Sequence, residues 1–181
     1  MTKKATKSKG VHYDKTIARR KALQLLYQAQ ILGQPLRVAL GNSPYIEEIG
    51  VLPEYAGRLI QGLDSHITEI DSCLSKSSEN WTLERMPLVD RCILRLAIYE
   101  MRYVENVPIS VSINEAIELA HEFGGEDGSG SFVNGVLGNV AKSIKASGED
   151  VVGENAVDEH NERKVNEMPE DDLHNGTGED N

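Results

Sequence analysis

The chain has 181 residues, of which 39% are hydrophobic and 5% aromatic, and its formal net charge is -10 at pH 7. That length fits one domain, or one domain with a tail, and its core must be built mainly from aliphatic side chains. We expect a cytoplasmic protein without a membrane span, a disulfide framework or a cysteine-based zinc site. The reasons are that no apolar run reaches roughly 18–20 residues, no signal pattern follows Met1, and Cys73 and Cys92 form no CxxC motif.

The N-terminal segment is basic, with eight basic side chains and one acidic side chain over residues 1–21. We expect residues 1–12 to form a disordered basic arm, because they bury too little apolar surface to offset the entropy of ordering. A cationic arm is typical of proteins that bind a polyanion such as nucleic acid. A solvated leader that only aids solubility explains the charge equally well.

Apolar residues recur at three- and four-residue steps from residue 14 to residue 144, which predicts helices. The first helix is predicted to start at Asp14 as its N-cap and to stop at Gly33. Later helices are predicted in these segments: 53–75, 88–104, 110–123 and 131–144. A short turn is predicted over 81–86. Serines are the predicted N-caps of the last two helices. We expect helix 88–104 to be central, because it is apolar around most of its circumference. The predicted fold class is all-α, with six or seven helices.

The C-terminal segment is acidic, with twelve acidic and two basic residues from Ser147 to Asn181. It has no aromatic residue and almost no apolar pattern, so we expect disorder. The predicted domains are therefore the arm 1–12, a helical domain 13–147 and an acidic tail 148–181. The tail is either inert or a competitor of nucleic acid for the basic arm.

Signatures of catalysis are missing from the sequence, which has no HExxH, Walker loop or Gly-x-Ser-x-Gly motif. The glycine-rich loop Gly124–Gly130 follows a predicted helix and carries two carboxylates, which would repel phosphate. It is better explained as a helix–helix connection. We expect no enzyme, no metal and no cofactor.

Three cations of the first helix are candidate nucleic-acid ligands. Lys15, Arg19 and Arg20 are predicted to share its polar face, opposite the apolar stripe. Cations along one face can contact successive phosphates, and such binding weakens steeply with salt. Charge alone leaves RNA and DNA open as the ligand.

Four segments resemble the NusB transcription antitermination family, in the family's order. They are Ala18–Gln28, Asp90–Glu100, Val107–Ala120 and Phe132–Leu137. The resemblance implies an all-helical fold of two small bundles, without catalysis or cofactor. It also implies binding of the boxA element of ribosomal RNA leader transcripts together with NusE, a ribosomal protein, and suppression of termination with other Nus factors on RNA polymerase.

The resemblance also assigns roles to residues. The family's basic first helix corresponds to the three cations named above, and its acidic pair before the last helix corresponds to Glu126 and Asp127. Its aromatic residue corresponds to Phe132, which can stack on an unstacked base or pack in the core. Ser131 stands where relatives often carry a cation, in a loop that is one residue longer.

For the protein partner, the resemblance points to Glu84 and Asp90 as acidic residues that face NusE. A solvated helix end explains them nearly as well. Two other interpretations remain open: an RNA-binding accessory domain like those fused to ribosomal RNA methyltransferases, and a helical protein-binding scaffold, such as a homodimer, without an RNA role.

Overall fold

The computed structural model describes residues 4–41, 51–78, 81–125 and 128–148, with side chains from residue 14 onward. All regular structure in these ranges is helical. The helices are α1 Lys4–Ile31, α2 Leu36–Gly41, α3 Glu54–Ser77, α4 Leu88–Tyr103, α5 Ile109–Phe123 and α6 Ser129–Ser147. A 3-10 turn, Leu83–Arg85, connects α3 to α4 and confirms the short turn predicted there.

The six helices of the described ranges form two groups of three. Helices α1, α2 and α3 contact one another, and so do α4, α5 and α6. The groups meet where α4 contacts both α1 and α3 and where α3 contacts α6, so one apolar core runs through both. The prediction of an all-helical fold in two small bundles is confirmed.

Helix α4 is the most enclosed helix of the described chain, as its composition predicts. Ile93, Leu94 and Ile98 have no exposed surface, and each contributes about 1.5–3 kcal/mol by leaving water. Two charged side chains of α4, Arg95 and Glu100, are also buried. Apolar burial thus places α4 at the centre, and its charged residues must find partners on neighbouring helices.

Several helix starts differ from the sequence predictions. Helix α1 begins at Lys4, so Asp14 is not its N-cap and residues 4–12 are helical where we expect a disordered arm. The stretch ahead of Asp14 contains no proline, and the helix continues through it. Pro108 and Gly128 stand at the N-caps of α5 and α6 in place of the predicted serines.

The end of α1 is as predicted. Gly33 has a φ of +62°, a left-handed conformation that glycine adopts without strain, and the backbone N–H of Gln34 donates to the carbonyl of Ala29 at 2.9 Å. The predicted tail, from residue 149 onward, lies outside the described residues.

Candidate nucleic-acid interface

A buried ionic cluster ties α1 to α4 and α5. The Nε of Arg19 donates to both carboxylate oxygens of Glu100, at 2.9 and 3.1 Å, and its Nη1 lies 3.2 Å from Glu115. The hydroxyls of Ser112 and Tyr55 also donate to Glu100. Because Arg19 and Glu100 are only 5% and 2% exposed, each charge depends on its partners inside the protein.

This burial of Arg19 corrects the prediction that it shares an exposed face with Lys15 and Arg20. Successive residues of an α-helix are rotated by about 100°, so Arg20 lies about 140° around α1 from Lys15. The two outer cations therefore point to opposite flanks of α1, and Arg19 points inward between them. In this arrangement the Arg19 guanidinium faces protein carboxylates and fixes the position of α1.

Lys15 lies on the flank of α1 that faces α3. Its Nζ is 5.0 Å from the centre of the Tyr55 ring, and the guanidinium carbon of Arg58 is 5.6 Å from the same centre. A cation over an aromatic face is attracted by the ring quadrupole, which holds both side chains in place. Lys15 and Arg58 thereby stand together at the edge of a cleft of about 480 Å³.

Arg20 lies on the other flank, at α5. Its Nη2 is 2.6 Å from a carboxylate oxygen of Glu122, and the two side chains are 46% and 40% exposed. An exposed ion pair of this kind contributes only about 0.2–1 kcal/mol to stability. A phosphate can therefore replace Glu122 as the partner of Arg20 at small cost.

Phe132, in the first turn of α6, is half-buried. Its ring centre is 5.7 Å from that of Trp81, with the planes tilted by 56°, and Trp81 is 47% exposed. The ring is thus neither enclosed in the core nor fully in solvent, and with Trp81 it forms an aromatic pair at the surface. Asp127, the acidic residue predicted beside it, lies outside the described residues.

Asp90 lies inside the protein, which corrects its prediction as a surface contact for a partner. It is 4% exposed, and its carboxylate accepts a hydrogen bond of 2.5 Å from the hydroxyl of Ser129. The bond joins the start of α4 to the start of α6. A first-turn carboxylate is usually exposed, but the packing of α6 across α4 covers this one.

Glu84, in contrast, is exposed on the 3-10 turn. A residue that contacts a partner protein must be exposed, so this position is compatible with the prediction. Hydrogen bonds from its own backbone N–H and from the Thr82 side chain lower the pKa of its carboxyl. Glu84 is therefore ionised at neutral pH and can accept hydrogen bonds from a basic protein. Around it, Ser78 and Arg91 donate to the carbonyls of Trp81 and Leu83, at 3.0 and 2.8 Å, and hold the turn in place.

Four residues that shape this surface are missing from the sequence predictions: Tyr55, Arg58, Trp81 and Glu100. Trp81 carried a signal, since it is the only tryptophan and falls in a predicted turn. Glu100 ends the segment Asp90–Glu100 that resembles the family, whereas Tyr55 and Arg58 lie in a predicted helix at positions with no distinguishing pattern. Their roles arise from contacts between helices that are distant in sequence.

The family model of the NusB family matches residues 16–142, most of the chain and nearly all of the helical region. The chain belongs to the NusB family. Its relatives include the transcription antitermination protein NusB of Geobacillus kaustophilus, 46% identical over 128 residues, which cover 71% of this chain and 95% of the relative. The sequence resemblance is thereby confirmed.

Solved NusB structures share the fold. T. maritima NusB aligns with a TM-score of 0.60 and 33% identity, covering 70% of this chain and 89% of that one. A structure of the antitermination factors NusB and NusE in complex with dsRNA aligns with a TM-score of 0.63 and 26% identity, covering 72% of this chain and 98% of that one. The aligned NusB chains therefore include one that was crystallised with RNA and NusE.

Within the described ranges, no helix has the length and apolarity needed to cross a membrane. The same ranges contain no group of three or more His, Cys, Asp or Glu side chains arranged to hold a metal ion.

Proposed function

We propose that this protein is a transcription antitermination factor that binds RNA together with NusE. The observation that carries the proposal is the alignment with 98% of the NusB chain from the NusB–NusE–dsRNA complex. The RNA is the boxA element of ribosomal RNA leader transcripts, and the complex acts on RNA polymerase with other Nus factors in the cytoplasm.

The RNA surface of this proposal includes Lys15, Arg20 and Phe132. The two cations lie on opposite flanks of α1, and Arg20 gives up only an exposed ion pair when it binds a phosphate. Phe132 offers a half-buried ring for stacking. Arg19 does not belong to this surface but holds α1 in position through its ion pairs with Glu100 and Glu115. Asp127 stays a prediction as a further RNA contact.

The NusE surface of this proposal includes Glu84, which is exposed and ionised. Residues 22–146 carry a net charge of -7, complementary to a basic partner such as a ribosomal protein. Complementary charge raises the association rate and selects the partner. Asp90 supports this surface only indirectly, through its hydrogen bond to Ser129.

Antitermination is favoured over the accessory-domain interpretation by the relatives. The Geobacillus protein named for antitermination is covered over 95% of its own length, so the matched region corresponds to nearly all of that factor. A homodimer without an RNA role stays a prediction, which the molar mass in solution and the RNA titration below test together.

The experiment is a gel-shift titration of the full chain with boxA RNA and with a scrambled RNA of equal length, with and without NusE. We expect selective binding of boxA that NusE strengthens. Lys15→Gln and Arg20→Gln should each reduce the slope of log affinity against log salt by about 0.7–0.9. Equal affinity for boxA and scrambled RNA, with no effect of NusE, would contradict the proposal.

A further inference from the structure

A cleft lies between α1, α3 and the C-terminal end of α4. It measures about 480 Å³, within the range of roughly 300–1,000 Å³ typical of small-molecule sites. Two cations and three aromatic rings dominate its lining: Lys15, Arg58, Tyr55, Tyr99 and Tyr103. We call it the tyrosine cleft.

One side of the tyrosine cleft is cationic. Lys15, Arg19 and Arg58 surround the Tyr55 ring, with their charged groups 5.0, 5.8 and 5.6 Å from its centre. Arg19 is neutralised by the buried Glu100. Arg58 has only a loose contact with Glu54, at 3.9 Å between side chains that are 66% and 88% exposed. A phosphate beside the Tyr55 ring would therefore meet two cations, Lys15 and Arg58, that no buried carboxylate neutralises.

Another part of the lining is an aromatic wall formed by Tyr99 and Tyr103. The rings of Tyr99 and Tyr103 stack with their centres 5.5 Å apart, and the ring centre of His66 is 4.2 Å from that of Tyr103. Tyr99 also fits closely against Gly62, where an added Cβ would come within 1.8 Å of its hydroxyl oxygen. Such a wall suits a flat, partly apolar group. Glu105 is the one carboxylate of the lining, against two cations.

We infer that the tyrosine cleft holds one nucleotide of the bound RNA, with its phosphate between Lys15 and Arg58 and its base against Tyr99. Phosphate binding by paired cations and base contact with an aromatic side chain are the two elements of single-strand recognition. The inference rests on the proposed function, because Lys15 belongs both to the cleft and to the proposed RNA surface. It adds Arg58, on α3, to the residues that bind RNA.

The test compares Arg58→Gln with Arg37→Gln, which removes the same charge from an exposed residue of α2 outside the cleft. Each full-length variant is titrated with NusE and a boxA RNA that carries several flanking nucleotides. We expect Arg58→Gln to weaken binding roughly three- to tenfold and to reduce the salt slope by about 0.7, the value for one phosphate of a single strand. Arg37→Gln should bind like the wild type, and Arg58→Lys should recover most of the affinity.

Ultraviolet crosslinking of the same complex gives a second readout. Peptides that contain Tyr99 or Tyr103 should carry RNA, and the Arg58→Gln variant should lose that crosslink. If the wild type binds the RNA and Arg58→Gln binds equally well with the crosslink unchanged, the cleft inference alone is overturned. If the wild type fails to select boxA, the proposed function fails first. Competition by a free nucleoside monophosphate at concentrations similar to those of the RNA would instead mark the cleft as a mononucleotide site and overturn its assignment to RNA.

Discussion

Arg19 and Glu100 form a buried ion pair between α1 and α4, although 81 residues separate them in the sequence. The Arg19 Nε lies 2.9 Å from the Glu100 Oε1, and Ser112 donates a further hydrogen bond of 2.6 Å to the same carboxylate. Because the pair is fixed, the rotation of α1 about its axis is fixed as well. That rotation directs Lys15 toward the tyrosine cleft and Arg20 toward α5.

Removing one partner of this pair should destabilise the fold. Arg19→Ala leaves Glu100 buried without its cation, and the expected loss is about 3–5 kcal/mol in the free energy of unfolding. Arg20→Ala, the neighbouring exposed arginine, should cost less than about 1 kcal/mol. Urea titrations of both variants measure the difference. Equal stability of the two variants would show that the ion pair does not hold α1 in place.

The Phe132 ring should contribute to RNA binding through its aromatic face. Phe132→Leu keeps a large apolar side chain, so we expect a stability change below about 1.5 kcal/mol. The same substitution removes the stacking surface and should cost about 1–3 kcal/mol of RNA affinity. Thermal melts and RNA titrations of one preparation separate the two effects. Unchanged RNA affinity with a large drop in melting temperature would make Phe132 a core residue.

Glu84 and Asp90 should behave oppositely, although both are acidic and close in sequence. Glu84→Gln, at an exposed position, should change stability by less than about 0.5 kcal/mol and weaken NusE binding. Asp90→Ala leaves the Ser129 hydroxyl without its acceptor and should cost about 1–3 kcal/mol of stability. Calorimetric titration with NusE beside urea unfolding tests both. A loss of NusE affinity in folded Asp90→Ala that exceeds the loss in Glu84→Gln would reverse the assignment.

Burial raises the pKa of the Cys92 thiol to about 11, so Cys92 should be unreactive in the folded protein. At pH 8 a thiol reagent should label the partly exposed Cys73 alone, and Cys92 should react only after denaturation. Because the unfolded thiol has a pKa of about 8.5, Cys92 contributes stability that is lost as pH rises from about 8.5 through 11. Mass spectrometry after timed labelling checks the predicted difference in reactivity between Cys73 and Cys92. Rapid native labelling of Cys92 would show that α4 is not enclosed.

The acidic tail should lower RNA affinity at low salt if it reaches the basic residues of α1. Truncation after Gly148, whose φ of +66° follows the end of α6, removes the tail and leaves the last buried residue of the described ranges, Ile144, in place. We expect the truncated protein to bind RNA more tightly in low salt. The difference should vanish near physiological ionic strength, where the Debye length is about 8 Å. Identical affinities in low salt would identify the tail as inert.

Local patterns determined the helices. Apolar residues at helical spacing located α1 and α3 to α6, and the apolar positions of α6 that recur at this spacing are all buried: Val133, Val136, Leu137, Val140 and Ile144. Helical periodicity can be recognised in the sequence because residues three or four positions apart lie on the same face of the helix. Helix starts were less predictable, because an N-cap residue such as Asp14 is also tolerated inside a continuous helix.

The family, and with it the class of ligand, was also determined by the sequence, through four segments in one order. The tertiary structure alone decided which charges are available to a ligand. Arg19 and Arg20 are adjacent residues of the same type, yet Arg19 is 5% exposed and Arg20 lies at the surface. Burial of a charge depends on partners that other helices supply, as Glu100 does for Arg19 and Ser129 does for Asp90. The tyrosine cleft has the same origin, because its cations and rings come from α1, α3 and α4 and meet only when those helices pack together.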